Sequence, residues 1–443
     1  MERVPSPYRW PARILLFFWA ALGWAENRLA VLTPHPTEVR IEFGQAFELW
    51  HKEHFGSAVT VEWRDQGGAS EDQRFVESEF KTKPEGIGID VFFGGGPEPF
   101  QVFADRHLLS KWMPPKDILA AIPQQSRGVV LYNPDGGWFG ACLASFGILQ
   151  NQAVQKLTHL PAAERWEDLA RPELRSWVGA GDPRNSGSMN SMYEAFLQAY
   201  GWEKGWALLA RISGNVREFE RYSTATAKQC ALGQIAYAFA IDYYAFIQVA
   251  AAGSNQMNFV LPADFTAVTP DGIAVLKGAP NRELAEHFVS FVLSEPGQKL
   301  WYLQQGSPGG PVHHSLHRLP VRPEIYEHYR SFSAEGVNPF TLARDFHYDT
   351  ALAGRRRGVV RALFGSCFID LHPELKRAWE RLIARGLPAA EVAEFEKMPI
   401  TSAEAEALIA KGWNQPASAE LRQRQTIEWQ TRSLEKYRRL AAP

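Results

Sequence analysis

Leu29-Ala-Val-Leu-Thr33 and, further on, Ile89-Asp-Val-Phe-Phe-Gly-Gly-Gly96 are the stretches that decide the fold. Each is a short apolar run closed by a breaker, Pro34 in the first and a glycine run in the second, and each reads as a buried strand. Between them Val39, Phe43, Ala46, Phe47 and Trp50 recur at helical spacing, and Ala58-Val-Thr-Val-Glu-Trp63 alternates as a strand does. Ser70-Glu-Asp-Gln73 then has the form of a capping box, with Val76 and Phe80 a helical turn apart behind it. Strand, helix, strand, helix, strand implies an α/β unit with a largely parallel sheet and helices on its faces. Such sheets hold ligands beyond the carboxyl ends of their strands. The loops after these two strands meet there, which makes Thr33, His35, Gly94 and Gly95 candidates for binding.

A second unit begins after the strand-like stretch Trp138–Ser145. Trp177-Val-Gly-Ala-Gly181 reads as a strand and leads through Asp182-Pro183 into Arg184-Asn-Ser-Gly-Ser188. A helix follows, because Met189, Met192, Tyr193, Phe196, Leu197 and Tyr200 share one face. Ser186, Gly187 and Ser188 at its start leave backbone N–H groups unpaired, with hydroxyl donors beside them and no side chain on Gly187 to block approach. That chemistry suits an anion; a plain serine cap is the alternative. The apolar strand Ile235–Ile241 ends in Asp242, Tyr243 and Tyr244 at the same cleft. Phenolate and carboxylate oxygens suit a highly charged metal ion, neutral tyrosines donate to anions, and simple packing at a helix start is the third reading.

The 443 residues are too many for one core and suggest two to three units. A formal net charge of −2 argues against nucleic acid as a partner. Cys142, Cys230 and Cys367 permit one disulfide without saying which. The 15 Trp supply large apolar area for cores and binding faces alike. Arg3, Arg9 and Arg13 precede the apolar run Ile14–Leu22, and Gly23 and Ala25 are the small residues of a cleavage site. That is the order of a secretory signal peptide over residues 1–25. The run is too short for a membrane span, which needs about 20 apolar residues. The mature chain is then expected to be free in the periplasm, or secreted, with no segment spanning the membrane after processing.

From Leu29 to Leu319 the chain resembles the periplasmic solute-binding proteins of ABC importers, in the group that carries ferric ion and phosphorylated solutes. The matching stretches are Leu32-Thr-Pro-His35, Gly67-Gly68, Asp90-Val-Phe-Phe-Gly-Gly95 and Asp182-Pro-Arg-Asn-Ser-Gly-Ser188, followed by Ile241-Asp-Tyr-Tyr-Ala245, Thr269-Pro-Asp-Gly-Ile273 and Phe288–Trp301. The resemblance implies a two-lobed type II periplasmic binding protein fold. Its discontinuous first lobe spans 27–140 plus 261–305 and its second lobe 145–257, with hinge strands near 141–144 and 259–261. It implies a binding protein rather than an enzyme, with a small-molecule or ion ligand and a membrane permease as partners. No cofactor is implied beyond ferric ion as a transported ligand. In ferric members a tyrosine pair binds the metal, which maps onto Tyr243 and Tyr244; a Ser-Gly pair holds the accompanying anion, which maps onto Ser186 and Gly187; and His35 matches a further contributor. Some ferric members also carry an acidic ligand just after the strand that here ends in Phe92-Phe93. Gly94-Gly95-Gly96-Pro97 stands there instead, which better suits an organic or phosphorylated solute.

Residues 323–443 read as a helical C-terminal extension packed on one lobe, with Leu375, Trp379 and Leu382 periodic and Arg355-Arg-Arg357 on a solvated face. His313, His314 and His317 read as a surface loop beside Pro311. A ligand-binding partner of a membrane sensor is the alternative function, because the same closing fold serves both. A periplasmic hydrolase is disfavoured: the chain has no Gly-x-Ser-x-Gly elbow, and His51-Lys-Glu-His54, expected on an exposed helix face, has the wrong spacing for a zinc helix. N-terminal sequencing of exported protein is expected to begin at Glu26, and recovery of an intact membrane-embedded chain starting at Met1 contradicts the leader reading.

Overall fold

The computed structural model describes residues 27–126, 128–333, 337–341 and 346–442, so the leader assigned to residues 1–25 lies outside the described residues. Its strands are β1 (Asn27–Leu32), β2 (Val59–Arg64), β3 (Val91–Phe93), β4 (Gln125–Ser126), β5 (Val129–Val130), β6 (Phe139–Asn151), β7 (Val178–Gly181), β8 (Val216–Glu220), β9 (Tyr237–Ile241), β10 (Met257–Val260) and β11 (Val268–Val275). All but the β4–β5 ribbon join one sheet in the order β2-β1-β3-β11-β6-β9-β7-β8, with β10 on β6.

The sheet is less parallel than the sequence implied. Its flanks are parallel, β1 with β2 and β3, and β7 with β8 and β9. At the centre β11 and β6 run antiparallel to their neighbours. The cause is β6, a single long strand, buried throughout, that serves both halves. Its residues up to Ser145 pair with β11, and those from Phe146 pair with β9. The partner change falls between Ser145 and Phe146, and the chain recrosses between β10 and β11. These two crossings divide the molecule into two lobes.

Each outer strand feeds a helix. In the first lobe β1 leads to helix Thr37–Phe55, β2 to Ala69–Thr82 and β3 to Pro97–Asp105. In the second, β7 leads to Gly187–Tyr200, β8 to Ser223–Ala231 and β9 to Asp242–Ala252. The capping box expected at Ser70 does not form. Gly68 is the cap, at a φ of 136° that glycine tolerates, and Ser70 is already inside the helix. His51 is buried rather than exposed, held to the Ser57 carbonyl and facing His287. The three cysteines are free and buried, so no disulfide forms among them. The backbone N–H groups of His313 and His314 donate to Glu42, which pins that loop to the first lobe.

The extension opens with helix Pro323–His328, which packs on the first lobe through Tyr326 against Tyr302, and continues as helices Thr350–Phe364, His372–Ala384, Ala389–Glu396, Ser402–Ala410 and Ala419–Ala441, which pack on the second lobe. Phe364 stacks on Tyr193 with ring centroids 4.0 Å apart. Trp379 lies over Gly214, where a Cβ would stand 2.5 Å from the indole, and its Nε1 donates to Asn215 at 2.8 Å. One hydrophobic core runs through the second lobe and these helices. Trp379 is 1% exposed, so Trp379→Ala is expected to cost about 3–5 kcal/mol in urea unfolding by cavity formation. A loss within error of zero shows that the extension does not stabilise the lobe.

Candidate functional site

Between the lobes lies a cleft of about 380 Å³. Its wall is set by a topological regularity: the N-cap residues of the six strand-following helices, Pro36, Gly68, Gly96, Ser186, Tyr222 and Ile241, all line it. Every helix start leaves unpaired N–H groups and the positive end of the helix dipole. The helix ends of both lobes therefore supply positive potential to one volume. Each end favours an anion by about 0.3–1 kcal/mol, up to about 2 when partly buried.

The serine-glycine-serine start of helix Gly187–Tyr200 sits at this wall. Ser186 Oγ accepts from Met189 N at 3.3 Å and lies 3.0 Å from Ser188 Oγ. Ser188 Oγ donates to Ser223 Oγ at 3.3 Å, which links the starts of two helices. A Cβ on Gly187 would meet only Ser70 Oγ, at 3.9 Å across the cleft, so this glycine keeps space open between the lobes. Ser70 Oγ is buried without a partner. Read in the sequence as a cap, it is instead a donor at the wall.

The opposite side is built around Arg318, which is 2% exposed. It arrives on the segment that bridges to β6, where Leu143 N donates to the Leu319 carbonyl. Arg318 Nη1 donates to Asp271 Oδ2, Nη2 faces His35 Nδ1 at 3.3 Å, and the guanidinium lies 3.6 Å from the centre of the Tyr243 ring. A guanidinium nitrogen only donates, so His35 accepts through Nδ1 and its proton sits on Nε2. Burial, with the Arg318 charge beside it, holds the His35 pKa well below the usual histidine range, and the ring is neutral. Tyr243 and Tyr244 pack against each other with centroids 3.9 Å apart. Burial pushes both phenol pKa values up, so they present as neutral hydroxyls.

Of the residues singled out in the sequence, the structure brings His35, Gly95, Ser186, Gly187, Ser188, Tyr243 and Tyr244 to the cleft wall. Thr33, Gly94 and Asp242 stand behind it. The Thr33 hydroxyl accepts from His35 N at 3.1 Å, which spends it on the loop. Gly94 is buried beneath the His35 ring at a φ of 99°, so the glycine run answers backbone conformation there rather than solute approach. The Asp242 carboxylate turns inward to accept from Ser145 N and Oγ at 2.7 and 2.8 Å, and burial pushes its pKa up to about 7. Sequence reasoning missed Arg318, Asp271, Ser70, Glu98 and Ser223. No local pattern marks Arg318, which follows His317 in Leu316–Val321 and takes its place from contacts distant in sequence. No Trp lines the cleft among the described residues, so the tryptophans serve packing.

Each of the three carboxylates lining the cleft, Asp65, Glu98 and Asp271, faces an arginine, with Glu98 3.7 Å from Arg357. Asp271 is held by Arg318 and also accepts from Gly96 N at 2.9 Å, and Asp65 is held by Arg40 at 2.6 Å. Among the described residues no cluster of three His, Cys, Asp or Glu side chains is placed to hold a metal ion.

Two lobes on crossing hinge strands, with ligand-facing helix starts from each, define a solute-binding fold of the two-lobed periplasmic type. Residues 102–321, just under half of the chain, match the bacterial extracellular solute-binding protein family. The chain is 26% identical over 266 residues to the phosphoglycerate transport regulatory protein PgtC of Salmonella typhimurium, a match covering 60% of this chain and 62% of that protein. It thus spans less than two thirds of that relative's length. The periplasmic binding protein AfuA of Actinobacillus pleuropneumoniae, solved with fructose 6-phosphate bound, superposes with a TM-score of 0.64 at 18% identity, over 78% of this chain and 99% of that one. Apo ferric ion-binding protein A of Pasteurella haemolytica superposes at 0.56 and 18% identity, over 76% of this chain and 96% of that one. At such identities the two structures establish the fold alone. No helix among the described residues is long and apolar enough to cross a membrane.

Arg318→Met leaves Asp271, only 13% exposed, without its cation, and is expected to cost about 3–5 kcal/mol in urea unfolding. Pairing it with Asp271→Leu is expected to recover part of that loss. Parental stability of the single variant contradicts a buried ion pair at this position.

Proposed function

We propose that this protein captures a small anionic organic solute of the phosphorylated type between its lobes in the periplasm, and delivers it to the permease of an ABC importer. The observation that carries the reading is the convergence of six helix starts on one cleft. If their contributions add, they supply roughly 2–6 kcal/mol toward an anion. Micromolar capture needs about 8 kcal/mol. Hydroxyl donors from both lobes close that gap at about 1.5–3 kcal/mol for each hydrogen bond to a charged group. The volume matches a small solute rather than a peptide or polymer. The similarity to PgtC, a phosphoglycerate transport regulatory protein, and to AfuA, solved with fructose 6-phosphate bound, supports the same solute class.

Ferric ion fits the wall less well. A phenolate–iron bond needs both tyrosines deprotonated, yet burial raises their pKa values, and the guanidinium over Tyr243 repels a trivalent cation. The similarity to PgtC, a transport regulatory protein, favours one second reading, a sensor partner that presents its closed form to a membrane receptor.

Calorimetry with fructose 6-phosphate and phosphoglycerate tests the solute class. One of them is expected to bind, and Gly187→Val is expected to weaken it by about tenfold or more, about 1.4 kcal/mol, with little loss of stability because the new side chain enters open cleft. Unchanged affinity reduces this helix start to a cap. With ferric salt at neutral pH the protein is expected to stay colourless. A stoichiometric coloured complex, lost when Tyr243 and Tyr244 become Phe, overturns the anionic assignment.

A further inference from the structure

Helix Thr350–Phe364 belongs to the second lobe by its packing. Besides the Phe364–Tyr193 stack, Asp349 N donates to Gln198 Oε1 at 2.8 Å, and Arg356 lies 3.8 Å from Glu194 and 3.0 Å from Glu406. The next residue reaches the other lobe. Arg357 Nη1 donates to Gln73 Oε1 at 3.1 Å, in helix Ala69–Thr82, and its Nε stands 3.7 Å from a carboxylate oxygen of Glu98, in helix Pro97–Asp105. Glu98 is itself part of the cleft wall and accepts from Ser191 Oγ of the second lobe at 3.1 Å. A single first-lobe carboxylate at the cleft is thus met from across the gap by a wall serine and by an arginine of the extension.

We infer that the C-terminal extension is a latch on lobe closure: Arg357, carried rigidly by the second lobe, engages Glu98 and Gln73 of the first lobe and biases the molecule toward its closed form. The inference rests on the solute-capture reading for its consequence, since a latch that favours closure slows solute release. Arg357 is a positioning residue, because it acts on the solute through Glu98 and lobe geometry. The contact is sheltered, with Arg357 15% and Glu98 10% exposed, so salt screens it less than a surface pair. Among the described residues the acidic side chain paired with Arg357 is Glu98, while Glu194 and Glu406 lie against Arg356. One turn on, Arg361 keeps Nε and Nη2 buried without a partner, and burial together with the Arg357 charge lowers its pKa to about 9. The face of the extension turned to the first lobe therefore carries an excess of positive charge, to which Glu98 responds. Arg357 lies beyond residue 321, where the family match ends.

Small-angle scattering of the solute-free protein tests the latch directly, and stopped-flow release of fructose 6-phosphate tests its consequence. Arg357→Ala is expected to raise the radius of gyration and to speed release by roughly two- to fivefold, the range an ordinary ion pair supports. Arg357→Lys is expected to fall between, and Arg355→Ala, an exposed neighbour, to match the parent. Gln73→Ala removes a contact from the first-lobe side and is expected to shift scattering in the same direction even if the arginine variant folds poorly. Scattering of both variants superimposable on the parent overturns the latch. Failure of the parent to bind the sugar phosphate counts against the proposed solute class, while the solute-free scattering still decides the latch.

Discussion

Backbone N–H groups at a helix start must find partners, and in this molecule six such starts are turned to one cleft. The arrangement follows from topology rather than from any one side chain. Strands on each sheet flank run parallel, each is followed by a helix, and β6 crosses from one lobe to the other so that the two sets of helix starts face each other. Once that is fixed, both lobes bring positive helix ends to the cleft. The remaining features tune it: Gly187 keeps the space open, Ser188 and Ser223 supply hydroxyls, and the wall carboxylates are taken up by arginines before they offset the field.

Arg318 is the main cost of this design. Burying a guanidinium is unfavourable unless its charge and its donors are met. The protein meets it with Asp271 on β11, His35 after β1 and the face of Tyr243 after β9, three residues far apart in sequence. Because the arginine touches both lobes beside the hinge strand β6, it orients the wall as well as charging it. The same cation acts oppositely on its two ring neighbours: its charge adds to burial in keeping His35 neutral, and works against burial at Tyr243.

Much of this was legible in the sequence where a local rule has a local cause. Apolar runs closed by Pro34 or Gly94 became strands, and the helical face from Met189 to Tyr200 became a buried helix face. Ser186 to Ser188 was legible as a polar helix start at the cleft, and Ser186 also caps that helix by accepting from Met189 N, as the serine-cap alternative expected. The misses have physical reasons. Ser70 satisfies the pattern of a capping box, but Gly68 starts the helix earlier and frees that hydroxyl for the cleft. Asp242 follows a strand as a wall residue does, yet the amide and hydroxyl of Ser145 turn it inward. Arg318 depends on contacts distant in sequence, which no window reveals. The helices of the extension showed their period, but a period says only that one face is buried. It does not say that Trp379 seats on Gly214 or that Arg357 crosses to Glu98.

The central claim is that the converging helix starts hold the anionic group of the solute. A crystal structure of the protein with a bound sugar phosphate tests it most directly. The account predicts the phosphate within hydrogen-bond distance of the backbone N–H groups of Gly187 and Ser188 and of Ser223, with the hydroxyls of Tyr243 and Tyr244 near the organic part. A phosphate bound elsewhere on the molecule, or a metal ion ligated by both tyrosines with the serine starts unengaged, contradicts it.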